Sequence, residues 1–247
     1  MRARRFRTHW RRALTGHARL GFCPVCSRRT VFVAVTDWLR DSYECFRCGS
    51  IPRQRALMTV LEQVAPDWRE RRIHESSPDG ASSDRIAREC PGYDASQFWP
   101  DVPPGSYRNG VRCEDLMRLT FDDGSLDLFV TQDVFEHVLE PERGFAEIAR
   151  VLRPGGLHVF TVPWYGWQPT VTRVRVGAKG IEHVLEPEYH ANPVDPRGSL
   201  VVTNWGRELP DVIAEHAGMT TGVHSIRDPR RGIVGAFADV FVSRRDA

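Results

Sequence analysis

The pattern of apolar and polar positions predicts a body in which strands alternate with helices. Apolar residues recur from Leu57 to Val64 at the i, i+3, i+4, i+7 spacing of a helix, which begins near Pro52 and ends at Pro66. Further along the chain, the predicted strands lie near Ile73 and Tyr93 and at 111–113, 126–131, 157–162, 221–226 and 237–243, and the predicted helices lie at 83–90, 142–152 and 208–217. This alternation indicates an α/β fold with a mostly parallel sheet and helices on both faces.

One long stretch, at about 163–205, has no clear period and is rich in proline, glycine, histidine and aromatic residues. A connection of this length without regular structure is uncommon in a compact domain unless it has a function, so we interpret it as an irregular insertion that forms a lid or a binding loop. Four of its aromatic residues are candidates for the wall of a pocket or for ordinary core packing: Trp164, Tyr165, Trp167 and Tyr189.

The composition limits the class of protein. The 247 residues, 41% of them hydrophobic, suffice for one large domain with its own core and a small second one. No run of about 18 apolar residues occurs, and no apolar stretch follows the arginine-rich start, so we expect no membrane-spanning helix, no secretory signal and a cytoplasmic protein. We interpret the arginine-rich residues 1–20 as a basic tail. The alternative interpretations of this segment are a mitochondrial presequence and an RNA-binding segment, although the whole chain carries a net charge of only +2.

Four cysteines form two CxxC pairs, Cys23 with Cys26 and Cys45 with Cys48. This arrangement is typical of a zinc ribbon, in which two CxxC turns face each other across a hairpin and offer four thiolates to one Zn²⁺. Four protein ligands leave no open coordination position, so we expect the zinc to be structural. Two disulfides or four buried thiols are the alternative interpretation.

Three segments of the body occur in a characteristic order: CEDLMRLTFDDGSLD at 113–127, TQDVFEHV at 131–138 and IARVLRPGGL at 148–157. Together they resemble the S-adenosylmethionine-dependent methyltransferases of type 11, which have a Rossmann-like fold. The resemblance covers roughly residues 70–162 and implies S-adenosylmethionine as the cofactor. It also implies roles for individual residues: Asp115 would accept a hydrogen bond from the adenine amino group, Leu116 would flank the adenine ring, and Asp133 would lie near the methionine part or the acceptor.

The first two motifs of the family are altered in this chain. In the first, Glu75 takes the acidic position, Ser77 stands where a glycine is usual, and Gly80 takes one turn position. In the second, the acidic residue expected to bind the ribose is missing, and Ser96 or Gln97 would contact the ribose hydroxyls instead. Small residues still allow a cofactor to approach the backbone, so a cofactor site remains the expectation.

Deprotonation of an acceptor oxygen or nitrogen is helped by a nearby histidine or carboxylate. We take His137, His190 and Asp133 as the candidate catalytic residues. His137 alternatively caps or orients the following helix. His190 ends the segment EHVLEPEYH at 182–190, which lines an acceptor pocket, binds a second metal or has an ordinary surface role.

The sequence therefore predicts a basic tail at 1–20, a zinc ribbon at 21–52, a connecting helix at 53–70 and a methyltransferase domain at 71–247. The expected activity is methyl transfer to a small-molecule acceptor (a sugar, glycan or secondary metabolite), with O- or N-transfer favoured. One alternative is an RNA methyltransferase that binds RNA with its ribbon and tail. The other is a catalytically inactive protein that kept the fold as a binding scaffold.

Overall fold

The computed structural model describes residues 18–178, 180–192 and 195–246. The predicted basic tail therefore lies almost entirely outside the described residues. The described chain forms two compact units: one comprises 18–69, 80–91 and 224–240, and the other comprises 70–79, 92–223 and 241–246. The predicted methyltransferase domain, 71–247, contributes residues to both units.

The first unit begins with a small antiparallel sheet. Its strands are β1 (Ala18–Cys23), β2 (Arg28–Ala34) and β3 (Tyr43–Cys45), in the order β1-β2-β3, and the short helix α1 (Leu39–Ser42) precedes β3. The hairpin between β1 and β2 contains the first CxxC turn, and the second CxxC turn begins at the last residue of β3. The sheet therefore brings the two cysteine pairs to one end of the unit.

Two longer helices complete the first unit: α2 (Pro52–Val64) and α3 (Ala81–Glu89), with short 3-10 turns at Trp68–Glu70 and Pro229–Arg231. Pro52 occupies the first turn of α2, where its missing N–H costs no hydrogen bond. Residues 54–61, about two turns of α2, are all buried, although Gln54, Arg55 and Thr59 among them are polar. Because this part of the helix is covered on every side, it lies within the core of the unit.

Arg55, on α2, is a fully buried cation that holds several loops of the first unit. Its guanidinium donates to the carbonyl oxygens of Tyr43 (2.6 Å), Gly232 (2.7 Å) and Ser50, and it lies 4.6 Å from the centre of the Phe32 ring. Burial lowers the pKa of Arg55 to about 10, so the side chain stays charged at neutral pH. One side chain thus joins three separate backbone segments.

Replacing Arg55 with methionine is expected to lower the free energy of unfolding of the first unit by about 2–3 kcal/mol, because buried carbonyl groups lose a charged donor. Urea denaturation followed by circular dichroism measures the change. The matched control is Arg88→Met on α3, whose side chain is 63% exposed and which is expected to change stability by less than about 1 kcal/mol. Equal effects of the two substitutions would contradict the role given to Arg55.

The second unit is built on one large sheet. From the boundary between the units onward, the strands in chain order are β4 (Ile73–Ser76), β5 (Tyr93–Gln97), β6 (Tyr107–Arg108), β7 (Val111–Cys113), β8 (Leu126–Gln132), β9 (Leu152–Thr161), β10 (Trp164–Tyr165), β11 (Val171–Thr172), β12 (Val174–Gly177), β13 (Gly180–His183), β14 (Tyr189–His190), β15 (Ser199–Leu200), β16 (Thr203–Gly206), β17 (Met219–His224) and β18 (Val240–Arg245). The helices α4 (Pro141–Val151) and α5 (Leu209–Ala217) belong to the same unit.

The large sheet has the order β17-β18-β9-β8-β4-β5-β7-β6. Strands β7, β5, β4, β8 and β9 are parallel, whereas β18 runs antiparallel to β9 and β6 runs antiparallel to β7. The parallel part follows the 3-2-1-4-5 order of a doubly wound fold, with its switch point between β4 and β8. The predicted Rossmann-like fold with a mostly parallel sheet is confirmed.

Aromatic side chains dominate the core of the second unit. The rings of Phe135 and Phe145 stack with their centres 3.9 Å apart, and the Phe145 ring meets Trp205 edge-on at 5.9 Å. All three side chains are buried. The loop after β8, the helix α4 and the strand β16 therefore share one core.

The insertion at 163–205 differs from the prediction that it is irregular. It consists largely of short paired strands: β10 and β11 flank β16, β12 pairs with β13, and β14 pairs with β15. Strands of two to four residues are too short to show an alternating pattern in the sequence, which explains why the pairing was not predicted. No helix among the described residues is long and apolar enough to cross a membrane.

Candidate functional site

Four sulfur atoms in the first unit form a candidate metal centre. The Sγ atoms of Cys23, Cys26, Cys45 and Cys48 all lie within 4.8 Å of one another. The Cys23–Cys48 and Cys26–Cys45 separations are 3.8 and 4.0 Å. Ligands of a tetrahedral zinc ion at a Zn–S distance of about 2.3 Å are about 3.8 Å apart, whereas a disulfide requires about 2.05 Å. The spacing fits Zn²⁺, and all four cysteines are free thiols.

Polar groups surround these sulfurs. The Ser50 hydroxyl lies 3.2 Å from Cys23 Sγ and 3.3 Å from Cys48 Sγ, and the Thr30 hydroxyl lies 3.4 Å from Cys45 Sγ. Hydroxyl groups at these distances can donate to thiolates and orient them, as the outer shell of a metal site does. The surroundings of the cluster are thus suited to four negatively charged sulfurs.

The second unit holds a candidate ligand site at the switch point of its sheet. Ser76, Ser96 and Thr131 lie side by side in register, so the carboxyl ends of β4, β5 and β8 meet at one edge. Open α/β sheets bind ligands outside the carboxyl ends of their strands, at such a switch point. The residues that follow these strands are therefore the candidates for ligand binding.

Glu75 and Ser77 lie at the end of β4. The Glu75 carboxylate is fully buried and accepts hydrogen bonds from Gln132 Nε2 at 2.7 Å and from the Tyr93 hydroxyl at 2.8 Å. Ser77 adopts a left-handed backbone conformation with φ of 55°, which glycine adopts without strain. Glu75 thus ties neighbouring strands together, and Ser77 takes the conformation for which glycine is suited.

Ser96 differs from its predicted orientation. Its side chain is fully buried, and its hydroxyl lies 2.9 Å from His74 Nε2. The hydroxyl is therefore engaged within the sheet rather than presented to a ribose. Gln97, the next residue, points to the opposite side of the strand because side chains alternate along it, and it is half-buried.

Gly80 belongs to the first unit, where it precedes α3 with φ of 82°. A Cβ atom at this position would lie 2.1 Å from the Gln54 side chain. The backbone conformation therefore favours glycine here, and a larger residue would in addition have to displace the end of the Gln54 side chain. The presence of glycine at position 80 is thus explained by the structure of this unit, without a ligand.

Asp115 and Leu116 follow β7. Asp115 is half-buried, and its Oδ1 accepts a hydrogen bond from the Met117 backbone N–H at 2.9 Å, while Leu116 is buried. Glu114, the residue before Asp115, is buried, and its carboxylate accepts hydrogen bonds from Arg112 Nε (2.6 Å) and from the Thr120 hydroxyl (2.5 Å). Of the two acidic residues, only Asp115 keeps appreciable exposure.

Asp133 and His137 lie in the loop after β8. Asp133 has a left-handed conformation, with φ of 53°, and its Oδ1 accepts a hydrogen bond from the Thr161 hydroxyl at 2.9 Å. The Nδ1 atom of His137 lies 2.9 Å from the backbone oxygen of Leu200. Burial lowers the pKa of His137 to about 4, so the imidazole is neutral at neutral pH.

The structure brings His137 and His190 together although 53 positions separate them in the sequence. Their rings meet edge-to-face with centres 5.2 Å apart. Glu136, a buried residue that the sequence analysis did not select, lies beside both rings. The sequence feature that could have pointed to Glu136 is its position directly before His137. That His190 lies nearby is visible only in the folded insertion.

The other candidates in the insertion do not join this cluster. His183 and Glu186 are exposed. Trp164 packs edge-on against Phe241 at 5.4 Å and donates from Nε1 to the Gly206 oxygen, so it belongs to the core. Trp167, in contrast, is 67% exposed. The predicted aromatic wall is thus divided between core and surface.

Parts of the chain are similar to known proteins. Residues 95–160 match the family described as a methyltransferase domain. A solved S-adenosylmethionine-dependent methyltransferase from Mesorhizobium loti aligns with 77% of this chain and 98% of its own, with a TM-score of 0.49 and 16% identity.

Curated relatives match parts of the chain. An uncharacterized protein in transposon TN4556 of Streptomyces fradiae is 26% identical over 144 residues, which cover 55% of this chain and 41% of that protein. An uncharacterized methyltransferase from Mycobacterium sp. (strain KMS) is 37% identical over 87 residues, covering 33% of this chain and 34% of that protein. The chain thus spans less than half the length of these relatives. Residues 95–160 are thus similar to a methyltransferase domain, and the large sheet has the strand order of a Rossmann-like fold.

Proposed function

We propose that the chain is an S-adenosylmethionine-dependent methyltransferase that acts on a small-molecule acceptor, such as a sugar, a glycan or a secondary metabolite, by O- or N-transfer. The observation that carries the proposal is the methyltransferase-domain match over 95–160, which contains both Asp115 and Asp133. These residues follow β7 and β8, at the sheet edge where doubly wound folds bind ligands. When bound, S-adenosylmethionine supplies the electrophilic methyl group.

The residues at this edge suit an adenosyl ligand. Asp115 offers a partly exposed carboxylate as acceptor for an exocyclic amine, and Leu116 offers an apolar side chain beside it. Gln97 can donate to hydroxyl groups, and Ser77 is small enough for a close approach of ligand to backbone. Glu75 supports the site by fixing Gln132 and Tyr93.

His137, His190 and Asp133 are proposed to face the acceptor. Two imidazoles and a carboxylate near the end of β8 can position an acceptor hydroxyl or amine by hydrogen bonding and accept the proton that it loses on methylation. The insertion contributes His190 and, through the Leu200 oxygen, fixes the His137 ring. It would therefore act as part of the acceptor site.

We further propose that Cys23, Cys26, Cys45 and Cys48 hold a structural Zn²⁺. The sulfur separations and the surrounding hydroxyl groups support this assignment. Four protein ligands leave no coordination position for a substrate. The ion would fix the two CxxC turns in the first unit and take no part in methyl transfer.

Substitution of Asp115 tests the cofactor site. In Asp115→Asn the side-chain oxygen can still accept from the Met117 N–H, but the amide group then directs a donor at the adenine amine. Loss of the charged acceptor is expected to weaken binding of S-adenosylmethionine by about 10- to 100-fold, measured by isothermal titration calorimetry. Asp122→Asn, at an exposed position of the same segment, is the control and should bind as the unaltered protein does.

The same titration decides between the enzyme and an inactive binding protein. Binding of S-adenosylmethionine and S-adenosylhomocysteine in the micromolar range supports the enzyme, and no binding at millimolar concentration contradicts it. A radiolabelled methyl donor offered with panels of glycans, small hydroxylated and amino compounds, and total RNA then identifies the acceptor class. Incorporation into RNA alone, lost when residues 1–20 are deleted, would overturn the small-molecule proposal.

A further inference from the structure

Three potential metal ligands converge in the second unit, away from the cysteines. They belong to Glu136, His137 and His190, each of which offers one ligand atom within 4.8 Å of the other two. Glu136 Oε1 is 3.7 Å from His137 Nε2 and 3.9 Å from His190 Nδ1. Ligand atoms about 2.1 Å from a tetrahedral ion are about 3.4 Å apart, so small side-chain rotations would close the set around one ion.

The hydrogen bond of His137 fixes which ring nitrogen faces the cluster as an acceptor. Its Nδ1 lies 2.9 Å from the Leu200 backbone oxygen, which can only accept, so Nδ1 carries the proton. In the neutral ring, Nε2 then has a lone pair, and Nε2 is the atom that faces Glu136. A backbone carbonyl that orients a histidine in this way is a common outer-shell feature of metal sites.

His190 has a similar arrangement with a carboxylate. Its Nε2 lies 3.4 Å from Glu188 Oε1, and Glu188 Oε2 lies 3.2 Å from Arg173 Nη2. In the His190 tautomer whose Nε2–H faces Glu188, the lone pair is on Nδ1, the atom that lies 3.9 Å from Glu136 Oε1. A backbone oxygen thus lies behind His137, and a carboxylate lies near the outer nitrogen of His190.

The backbone holds the three ligands in place across two segments. The Glu136 carbonyl accepts hydrogen bonds from Val202 N (2.7 Å) and Thr203 N (3.2 Å), which attach the insertion to the loop after β8. The pairing of His190 with Ser199 continues this attachment. With a lone pair on each of the two ring nitrogens, a cation between them and the anionic oxygen would replace repulsion by coordination.

We propose that Glu136, His137 and His190 bind a divalent transition-metal cation. Two imidazoles and one carboxylate suit ions such as Zn²⁺, Fe²⁺ or Co²⁺ rather than Ca²⁺ or Mg²⁺, which favour oxygen ligands. With three protein ligands, positions remain open for water or an acceptor oxygen, whose pKa the ion would lower. This role in turnover rests on the proposed function, whereas binding of the ion does not.

The test measures ion binding to the full chain without cofactor or acceptor, so its result is independent of methyl transfer. The protein is first loaded with one equivalent of Zn²⁺ to fill the four-cysteine cluster and is then titrated with Co²⁺ by calorimetry and visible absorption. One further ion is expected to bind, without the intense sulfur-to-metal charge-transfer absorption that cysteine ligation produces. Absence of a second ion at millimolar Co²⁺ would overturn the proposal.

Variants locate the ion. His190→Gln removes a ligand on a partly exposed hairpin and should weaken Co²⁺ binding by about 100-fold or more, and Glu188→Gln, which acts through His190, by about 10- to 100-fold. His183→Gln, at an exposed position of the same insertion, is the matched control and should bind as the unaltered protein does. Circular dichroism confirms that each variant is folded. Unchanged affinity in folded His190→Gln would contradict the assignment.

Discussion

Replacing Cys45 with serine is expected to release one tightly held equivalent of zinc and to unfold β1, β2 and β3. Cys45 Sγ lies 4.0 Å from Cys26 Sγ, and the residue ends β3, so its loss removes both a ligand and the link between the two CxxC turns. A structural zinc ion contributes about 10–16 kcal/mol of apparent binding free energy, which a three-stranded sheet cannot replace. Metal content is measured by mass spectrometry after dialysis, and the unfolding by protease cleavage between residues 18 and 50.

The control for this substitution is Cys113→Ser in the second unit. Cys113 Sγ donates to the backbone oxygens of Val102 and Trp99, and a hydroxyl group can make the same kind of bond. Zinc content and protease resistance of this variant should equal those of the unaltered protein. If Cys45→Ser kept as much zinc as the unaltered protein and the same resistance to protease, the four-cysteine zinc site would be wrong.

Replacing Phe145 with alanine is expected to lower the free energy of unfolding of the second unit by about 3–5 kcal/mol. The ring is fully buried and stacks on Phe135 at 3.9 Å, so its removal leaves a cavity next to a residue that cannot move into it without breaking its own contacts. Thermal and urea denaturation measure the loss.

Trp167→Ala is the matched control for the Phe145 substitution, since the side chain of Trp167 is 67% exposed in the same unit. It is expected to change stability by no more than about 0.5 kcal/mol. Because Phe135 directly precedes Glu136, the Phe145 substitution should also weaken Co²⁺ binding at the histidine cluster. A change below 1 kcal/mol for Phe145→Ala would contradict the assignment of this ring to the core.

Sequence patterns predicted the positions of several strands and helices to within a few residues. The strand at Val111–Cys113 has the predicted bounds, and α4 begins one residue earlier than predicted, at Pro141. The strand predicted at 157–162 begins earlier, since β9 runs from Leu152 to Thr161, and its register with β8 shifts between Leu152 and Leu157. Proline and glycine are tolerated there because the start of the strand is exposed.

The site was harder to predict because it depends on contacts between distant segments. Ser96 was expected to face a ligand, but the sheet directs its hydroxyl to His74, a pairing that only the register of β4 and β5 fixes. Glu136 was not predicted, although it lies in the cluster, because the residues around it in the sequence do not indicate that His190 lies beside it. The cluster of four cysteines, in contrast, could be predicted because the spacing of the two CxxC pairs is visible in the sequence.

The hydrogen bond from His137 to Leu200 has a consequence for protein engineering. A chimaera that exchanges 163–205 for the corresponding stretch of a related enzyme would replace His190 and the carbonyl group that orients His137 in one step. Recognition of the acceptor and the chemistry performed on it would then change together. Directed evolution of this insertion should accordingly keep Tyr189–His190 and Ser199–Leu200 fixed and vary the exposed hairpin formed by β12 and β13.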